Sequence, residues 1–377
     1  MKPGPPTIFI SAGEPSGDLH GAGVARALKQ RIPGVNLIGL GGPRMAAQGT
    51  RLYAGLDDLA VMGFAEVAAR LPYFLRLRRR VFSALSERKV DLVIPIDYPG
   101  FNLRLARYAQ GQGIRVLYYI APQVWAWHAS RAADLARDTD AVAVILPFEE
   151  EFLRGAGANA RFVGHPLLDL EEEADDKPGW CDRLGLDADR PILALFPGSR
   201  RQEISRHLDL FSDAAAEIVR RVPAVQPVLA ASPDVSPSLY NNARWPLADR
   251  PDRLLRHSTA ALVKSGTTTL EAALVPTPFV VAYRMNPLSY AVARRLVKVP
   301  HIALANLVAG GRVVPEFVQN QASPSALADA LIPLLDASSP ARAEMLAGLT
   351  SVRAALGAGG AADRVAELAA DLLGIPP

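Results

Sequence analysis

Cysteine, histidine and long apolar runs are all scarce in this chain, and each scarcity removes a class of protein. The only cysteine, Cys181, rules out an internal disulfide and a thiolate-held metal cluster. Six histidines carry no ligand spacing, so no metal and no cofactor are expected. No segment approaches the roughly 18–20 apolar residues of a spanning helix. The opening apolar run is too short for a signal peptide, so a cytoplasmic protein is expected, with contact to a membrane surface left open. A net charge of +3 is too small for bulk charge to hold nucleic acid. Both G-x-G-x-x-G and the P-loop ending Gly-Lys-Ser/Thr are missing from the first glycine turn, GEPSGDLHGAG.

What is present fits two α/β domains. Half of the 377 residues are apolar and a fifth are charged, an ordinary globular balance at a length comfortable for two cores. Short continuous apolar runs (TIFISA, NLIGL, DLVIPI, RVLYYI, AVAVIL, ARFVG) alternate with helix-like stretches. Such runs read as parallel strands covered on both faces. The acidic stretch DLEEEADDKPGW reads as a linker, after which PILALF, VQPVLAA, AALVKSG and PFVVAYR restart the alternation. The expectation is two doubly wound, Rossmann-like parallel-sheet domains facing across a cleft. The first covers residues 1–170 and the second 171–345. Residues 346–377 are expected to form a helical tail, with its return onto the first domain left open.

Ligands of open parallel sheets lie beyond the carboxyl ends of the strands, and the unusual polar residues fall there. Gly198, Ser199 and Arg200 follow PILALF and open a helix marked by Ile204, Leu208, Phe211, Ala215 and Ile218. Free amides, a positive dipole end and a guanidinium suit phosphate. A capping box of Ser199 with Gln202 would need no ligand. Gly266, Thr267 and Glu271 follow AALVKS, with Glu271 read as an acceptor from ribose hydroxyls or as a capping partner of Thr268. Arg284, after PFVVAY, completes the expected nucleotide-binding set.

In the first domain, Glu14 and Ser16 follow TIFISA, Asp97 follows DLVIPI, and Gln123 and Trp125 follow RVLYYI. Glu14 would compete with a phosphate, so this turn is expected to take a polar, hydroxyl-bearing ligand, with Ser16 as donor or N-cap. Asp97 is read evenly as a general base or as an ordinary helix-start aspartate, with His128 and His165 as weaker alternatives for the base. Asp138-Thr139-Asp140 spells a metal-binding D-x-D but precedes its strand, so it is expected to point away from the cleft. Phe64, Val67, Leu71, Phe74 and Leu75 interleave with Arg76, Arg78, Arg79 and Arg80, a combination that suits an anionic membrane surface. A buried amphipathic helix with a solvated arginine edge is the plainer reading. The missing aromatic platforms count against nucleic acid.

The ordered set GEPSGDLHGAG, GLGGPRM, LAVMGFAEV, IDYPGFN, YYIAPQVWAW, LPFEEEFL, FVGHPLLD, LFPGSRRQE, KSGTTTLEAAL, VVAYRMNPLSY and ALANLVAG resembles the lipid-A-disaccharide synthase family nearly end to end. That resemblance implies a GT-B, inverting glycosyltransferase. It would join UDP-2,3-diacylglucosamine to 2,3-diacylglucosamine 1-phosphate through a β-1,6 link and release UDP. It implies UDP in the second domain, acceptor in the first, a further polar site at Asn306, and a membrane-docking role for the basic, apolar segment on the inner face of the cytoplasmic membrane. A homodimer is compatible with the sequence. Pro15 and Gly100 depart from the family pattern, and Gly100 leaves Asp97 as the remaining candidate base there. The rival readings are a UDP-sugar 2-epimerase of the same architecture and a non-catalytic two-domain binding protein.

Overall fold

A computed structural model describes residues 4–56, 64–127, 130–170, 176–233, 235–296 and 299–376. The chain divides into two compact units, residues 1–170 with 358–377, and residues 171–357.

The first unit holds β1 (Thr7–Ala12), β2 (Asn36–Leu40), β3 (Arg51–Ala54), β4 (Leu92–Ile96), β5 (Arg115–Tyr119), β6 (Ala141–Val144) and β7 (Ala160–Phe162). They pair in parallel in the order β3-β2-β1-β4-β5-β6-β7. The second unit repeats the plan with β8 (Ile192–Phe196), β9 (Gln226–Ala230), β10 (Leu247–Ala248), β11 (Ala260–Lys264), β12 (Phe279–Tyr283) and β13 (Glu316–Val318). Its parallel order is β10-β9-β8-β11-β12-β13. Both orders reverse direction once, between β1 and β4 in one unit and between β8 and β11 in the other. These are the crevices where open α/β sheets bind ligands.

Each interior strand of the first sheet is buried on both faces because helices cover both. Phe9, Ile38, Val93 and Val116 pack with Leu77, Val81 and Leu85 of the helix Phe64–Glu87 and with Leu105 and Ala109 of Pro99–Gly111. The alternate residues Ile8, Ile10, Ile94 and Leu117 pack with Val24 and Leu28 of Pro15–Arg31 and with Val365 and Ala369 of Ala361–Leu373. That last helix follows the whole second unit in sequence. It is fastened by Asp169, whose carboxylate accepts the amides of Gly360, Ala361 (3.0 Å) and Ala362 (3.4 Å). A carboxylate on these free amides caps the helix and complements its dipole.

Three edge strands, β3, β10 and β13, carry no signal in the sequence reading. They are short, and Arg51, Leu247 and all of β13 are only partly buried or exposed, so the two-faced apolar run that marks an interior strand is missing. The D-x-D aspartates lie before β6, as expected. Asp138 pairs with Arg107 and Arg137, and Asp140 accepts the Val116 amide at 2.7 Å.

The seam between the helix Pro15–Arg31 and the loop after β7 contains two histidines. Burial lowers His20 to about 4 against the opposing charge of Asp169. Burial, with His20 adding, lowers His165 to about 4. An unfolded chain protonates histidine near 6.5, so below that pH the unfolded state binds more protons. Stability is therefore complete above about pH 6.5 and is lost as the pH falls towards 4. The thermal midpoint is expected to drop between pH 7 and pH 5, by an amount equivalent to about 1–2 kcal/mol per histidine. His165→Asn, which can still accept from the Leu167 amide as the histidine Nδ1 does, should reduce that slope. An unchanged slope would defeat the assignment.

Candidate functional site

At the β1/β4 crevice the backbone is strained. Asp97, Tyr98 and Ile120, at the ends of β4 and β5, have φ of 44°, 49° and 59°. A non-glycine residue in this left-handed region costs on the order of 1 kcal/mol or more, so other contacts must hold it. The Asp97 amide donates to Tyr119 O at 3.1 Å. The Asp97 carbonyl accepts from Tyr118 OH at 2.9 Å and from Asn102 Nδ2 at 2.8 Å. Asn102 is fully buried. Its Nδ2 also faces the carbonyls of Ser11 and Ile96 at 3.1 Å each, and its Oδ1 accepts from Ser11 Oγ at 2.7 Å. One amide thus ties the carboxyl ends of β1 and β4 together and leaves the Asp97 side chain half-buried at the rim.

Gly13 lies against the Tyr98 ring, and a Cβ there would collide with it. Burial and the nearby Glu14 charge raise the Tyr98 phenol. Glu14 and Ser16 are both exposed at the start of the helix Pro15–Arg31. Glu14 is the N-cap residue and bonds with no side-chain oxygen there, so the expected N-cap role of Ser16 does not hold. Pro15 takes the first helical position, where its missing amide costs nothing. The next residue of that turn with a fixed task is Asp18, which is buried. Its carboxylate accepts the amides of Gly42 (2.7 Å), Arg44 (3.0 Å) and Met45 (3.0 Å), so it joins the two glycine motifs.

Beyond β5, Gln123 is exposed and Trp125 half-buried. Trp125 Nε1 donates to Glu149 Oε1 at 2.9 Å, and its ring meets Phe148 edge-on at 5.1 Å. Glu149 is buried and also accepts the Leu146 amide at 3.1 Å. Burial raises its carboxyl to about 7, the Trp125 and amide bonds oppose that, and the Asp97 charge adds to it. Glu14, Ser16, Asp97, Gln123 and Trp125 therefore share the carboxyl edge of one sheet. His165 also follows a strand there, but its Nδ1 lone pair accepts the Leu167 amide at 3.2 Å. Its low pKa follows from burial, and it is spent as a cap. His128 lies outside the described residues.

In the second unit the corresponding turns are built on glycines. Gly198 after β8 has φ +136° and Gly266 after β11 has φ +159°, a backbone that a side chain would strain. The helix Arg201–Arg221 begins one residue later than Ser199–Gln202 capping requires. Glu203 makes the return bonds instead, with Oε2 accepting from the Ser199 and Arg200 amides at 3.2 and 3.4 Å. The amides expected to be free for phosphate are thus occupied by this carboxylate. Its Oε1 accepts from Lys264 Nζ at 2.8 Å. Burial pushes Glu203 up, yet Lys264 and the two amides outweigh it and hold the group below the usual carboxylate range. Ser199 and Arg200 are exposed.

Glu271 lies on the fourth residue of the helix Thr268–Leu274, whose N-cap is Thr267. A Thr268 capping box is therefore not what holds it. Burial, then the Asp252 charge, raises it to about 7. Thr267 is exposed beside it. Arg284 is committed differently from the expectation. Its amide donates to His207 Nε2 at 2.9 Å, and its guanidinium donates to Ala322 O at 2.6 Å.

Asn306 also needs correction as a ligand site. It is fully buried, donates to Val314 O and Glu316 Oε1, and accepts the Val313 and Val314 amides, all within 2.8–2.9 Å. That saturates an amide, so Asn306 positions the loop before β13 and has nothing left for a substrate.

Of the basic, apolar segment, the side chains of Phe64, Val67, Leu71 and Phe74 lie outside the described part. The helix Phe64–Glu87 turns Leu77, Val81 and Leu85 inward and leaves Leu75 39% exposed. Arg76, Arg79 and Arg80 are exposed and Arg78 half-buried, with Arg80 also stacked over Tyr53 at 5.9 Å. No helix of the described residues is long and apolar enough to cross a membrane.

Asp18, Asn102, Glu149, Glu203 and Lys264 were missed by the sequence reading. The signal available for Asp18 was a charge within the otherwise small and apolar stripe Gly17, Gly21, Val24, Ala25 and Leu28.

Comparison with known proteins identifies the family. The model for "Lipid-A-disaccharide synthetase" matches residues 8–357. A lipid-A-disaccharide synthase of Myxococcus xanthus is 40% identical over 99% of this chain and 98% of its own length. One of Trichlorobacter lovleyi is 42% identical over 97% of each. Among solved structures, the UDP-GlcNAc 2-epimerase of Neisseria meningitidis bound to UDP-GlcNAc superposes with TM-score 0.65 at 12% identity, covering 97% of this chain and 100% of that one. A calicheamicin glycosyltransferase gives 0.61 at 17% identity and 99% of both chains. These two likenesses show the GT-B fold. With the match extending through both sheets and both crevices, the chain belongs to the lipid-A-disaccharide synthetase family.

Proposed function

We propose that this protein is the glycosyltransferase that condenses UDP-2,3-diacylglucosamine with 2,3-diacylglucosamine 1-phosphate, giving the β-1,6-linked disaccharide 1-phosphate and UDP. The reaction is one displacement with inversion. Asp97 takes the proton from the acceptor 6-hydroxyl as that oxygen attacks the anomeric carbon. The bond to the UDP oxygen breaks, and its electron pair leaves on the diphosphate. The observation that carries this reading is Asp97 itself, a carboxylate held in a strained left-handed conformation at a switch point by Asn102, Tyr118 and Tyr119. Strain of this kind persists where the surrounding structure enforces it, and it collects at active sites.

In the second unit, Arg200 and the Gly198–Ser199 turn would receive the diphosphate, where charge grows as the bond breaks. Glu271, which lacks a capping role and titrates near neutrality, would accept from the ribose hydroxyls beside Thr267. Glu14, Ser16, Gln123 and Trp125 would line the acceptor side. Leu75, Arg76 and Arg79 would meet the anionic inner face of the cytoplasmic membrane, from which two acylated substrates must be drawn.

Three outcomes test this. Asp97→Asn, a residue that tolerates the left-handed backbone, should lower kcat by about 10²–10⁴-fold with UDP affinity within about twofold of the parent. Loss of UDP binding in that variant would remove Asp97 as the base. Arg200→Ala should weaken UDP binding by about tenfold, the worth of one charge-assisted bond, in calorimetric titration. Replacing Arg76 and Arg79 together by Ala should cut partitioning onto phosphatidylglycerol vesicles by more than tenfold, at about 1 kcal/mol per arginine. Release of UDP from short-chain soluble substrates should be unaffected, and equal partitioning of both forms would reject the membrane face. UDP release without acceptor would favour an epimerase-like or hydrolytic enzyme.

A further inference from the structure

We propose that Lys264 is a ligand of the nucleotide's diphosphate, and that Glu203 occupies the diphosphate's place until the nucleotide arrives. The proposal rests on the reading that the second unit binds UDP, and it adds an exchange of anions that this reading does not contain.

The geometry is that of an anion site already filled. One Glu203 oxygen takes the Lys264 ammonium at 2.8 Å, and the other takes the Ser199 and Arg200 amides at 3.2 and 3.4 Å. An ammonium, two convergent amides and the start of the 21-residue helix Arg201–Arg221 are the donors a phosphate oxygen pair recruits. The amide bonds sit at the long end of the N–H···O range, so they are the easier ones to release. Lys264 ends β11, the strand hydrogen-bonded to β8, so its ammonium and the Gly198–Arg200 turn are joined across the switch point by backbone pairing.

Glu203 also closes the turn physically. A Cβ at Gly198 would meet the Glu203 Cβ and carboxylate, so the glycine backbone lies directly on this side chain. The side chains of Lys264 and Glu203 are 16% and 20% exposed. That is shielded enough for an unpaired charge there to be costly, and open enough for an anion to enter. The Tyr283 ring, 5.6 Å from the Lys264 ammonium, holds the cation by its π face when the carboxylate swings away. A diphosphate carries more charge and more acceptor oxygens than a carboxylate, so it wins the exchange. Glu203, in the first helical turn, rotates to solvent.

A purely structural Glu203 would make the same contacts in the absence of UDP, and the sign of one substitution separates the two roles. The experiment is calorimetric titration of the full chain with UDP and, in parallel, with uridine. Glu203→Gln should bind UDP about three- to tenfold tighter than the parent, because the competing charge is gone. Lys264→Met should bind UDP about tenfold or more weaker, and Lys264→Arg should stay within about threefold of the parent. Uridine affinity should not move in any variant.

If Lys264→Met and the parent bind UDP equally, or if Glu203→Gln weakens UDP as much as Lys264→Met does, the exchange is overturned and Glu203 is a brace for the turn. Circular dichroism and the melting midpoint check the fold. Should Lys264→Met unfold, the sign of Glu203→Gln and the retention in Lys264→Arg still decide. A parent chain that binds neither UDP nor uridine would instead defeat the nucleotide reading of the second unit, an outcome distinct from failure of the exchange.

Discussion

A single buried carboxamide, Asn102, spans the carboxyl ends of β1 and β4 by bonding to Ser11, Ile96 and Asp97. Parallel strands leave their last carbonyls without ladder partners at that end, and buried carbonyls must find donors. Asn102 supplies one for both strands at once. Everything else at this edge follows from it. The chain can turn left-handed at Asp97 and Tyr98, the Tyr98 ring can lie flat against Gly13, and the helix Pro99–Gly111 can start directly at the crevice. Losing the amide would orphan several polar groups at once, which is why one asparagine governs the site.

The two crevices solve one topological problem in opposite ways. In the first unit the left-handed positions are Asp97 and Tyr98, which carry polar side chains, and the strain is held by the bonds with Asn102, Tyr118 and Tyr119. In the second the sharp positions are Gly198 and Gly266, which cost nothing and carry no side chain. That choice brings backbone amides to the surface of the crevice. The first unit thus presents side-chain acids and rings, and the second presents backbone donors with one ammonium behind them. A hydroxyl-bearing sugar and a diphosphate need those two kinds of surface respectively.

The interior of both sheets was legible in the sequence because two-faced burial writes a continuous apolar run, as in TIFISA and ILALF. The edges were not. β10 has two residues and β13 three, and an edge strand has only one neighbour to specify it. Asp97 drew notice because a polar residue directly after such a run has few reasons to be there, and Arg200 and Glu271 because a strand, a glycine turn and a helix start precede them. Asp18, Glu149 and Glu203 were invisible for the opposite reason. Asp18 is held by amides 24 or more residues away, and Glu149 and Glu203, though each also takes an amide three residues back, depend on Trp125 and Lys264, partners that only folding brings near. Asn306 illustrates the converse error, because a polar residue in a marked motif was read as facing a ligand while its four bonds close a loop.

The return of the helix Ala361–Leu373 to the first unit has a consequence for how the chain is made. The apolar face of Pro15–Arg31 packs in one core with Val365, Ala366 and Ala369, which a ribosome delivers only after all of residues 171–357. During synthesis the second unit has every strand and helix of its core before the first unit does. The early unit must therefore wait with Val24 and Leu28 incompletely covered, and the Asp169 carboxylate that will clamp the arriving helix is exposed to water in the meantime. The part translated first is the part completed last. Any delay in translating residues 358–377 prolongs the interval in which an unfinished apolar face is open to chaperones or to another copy of the chain.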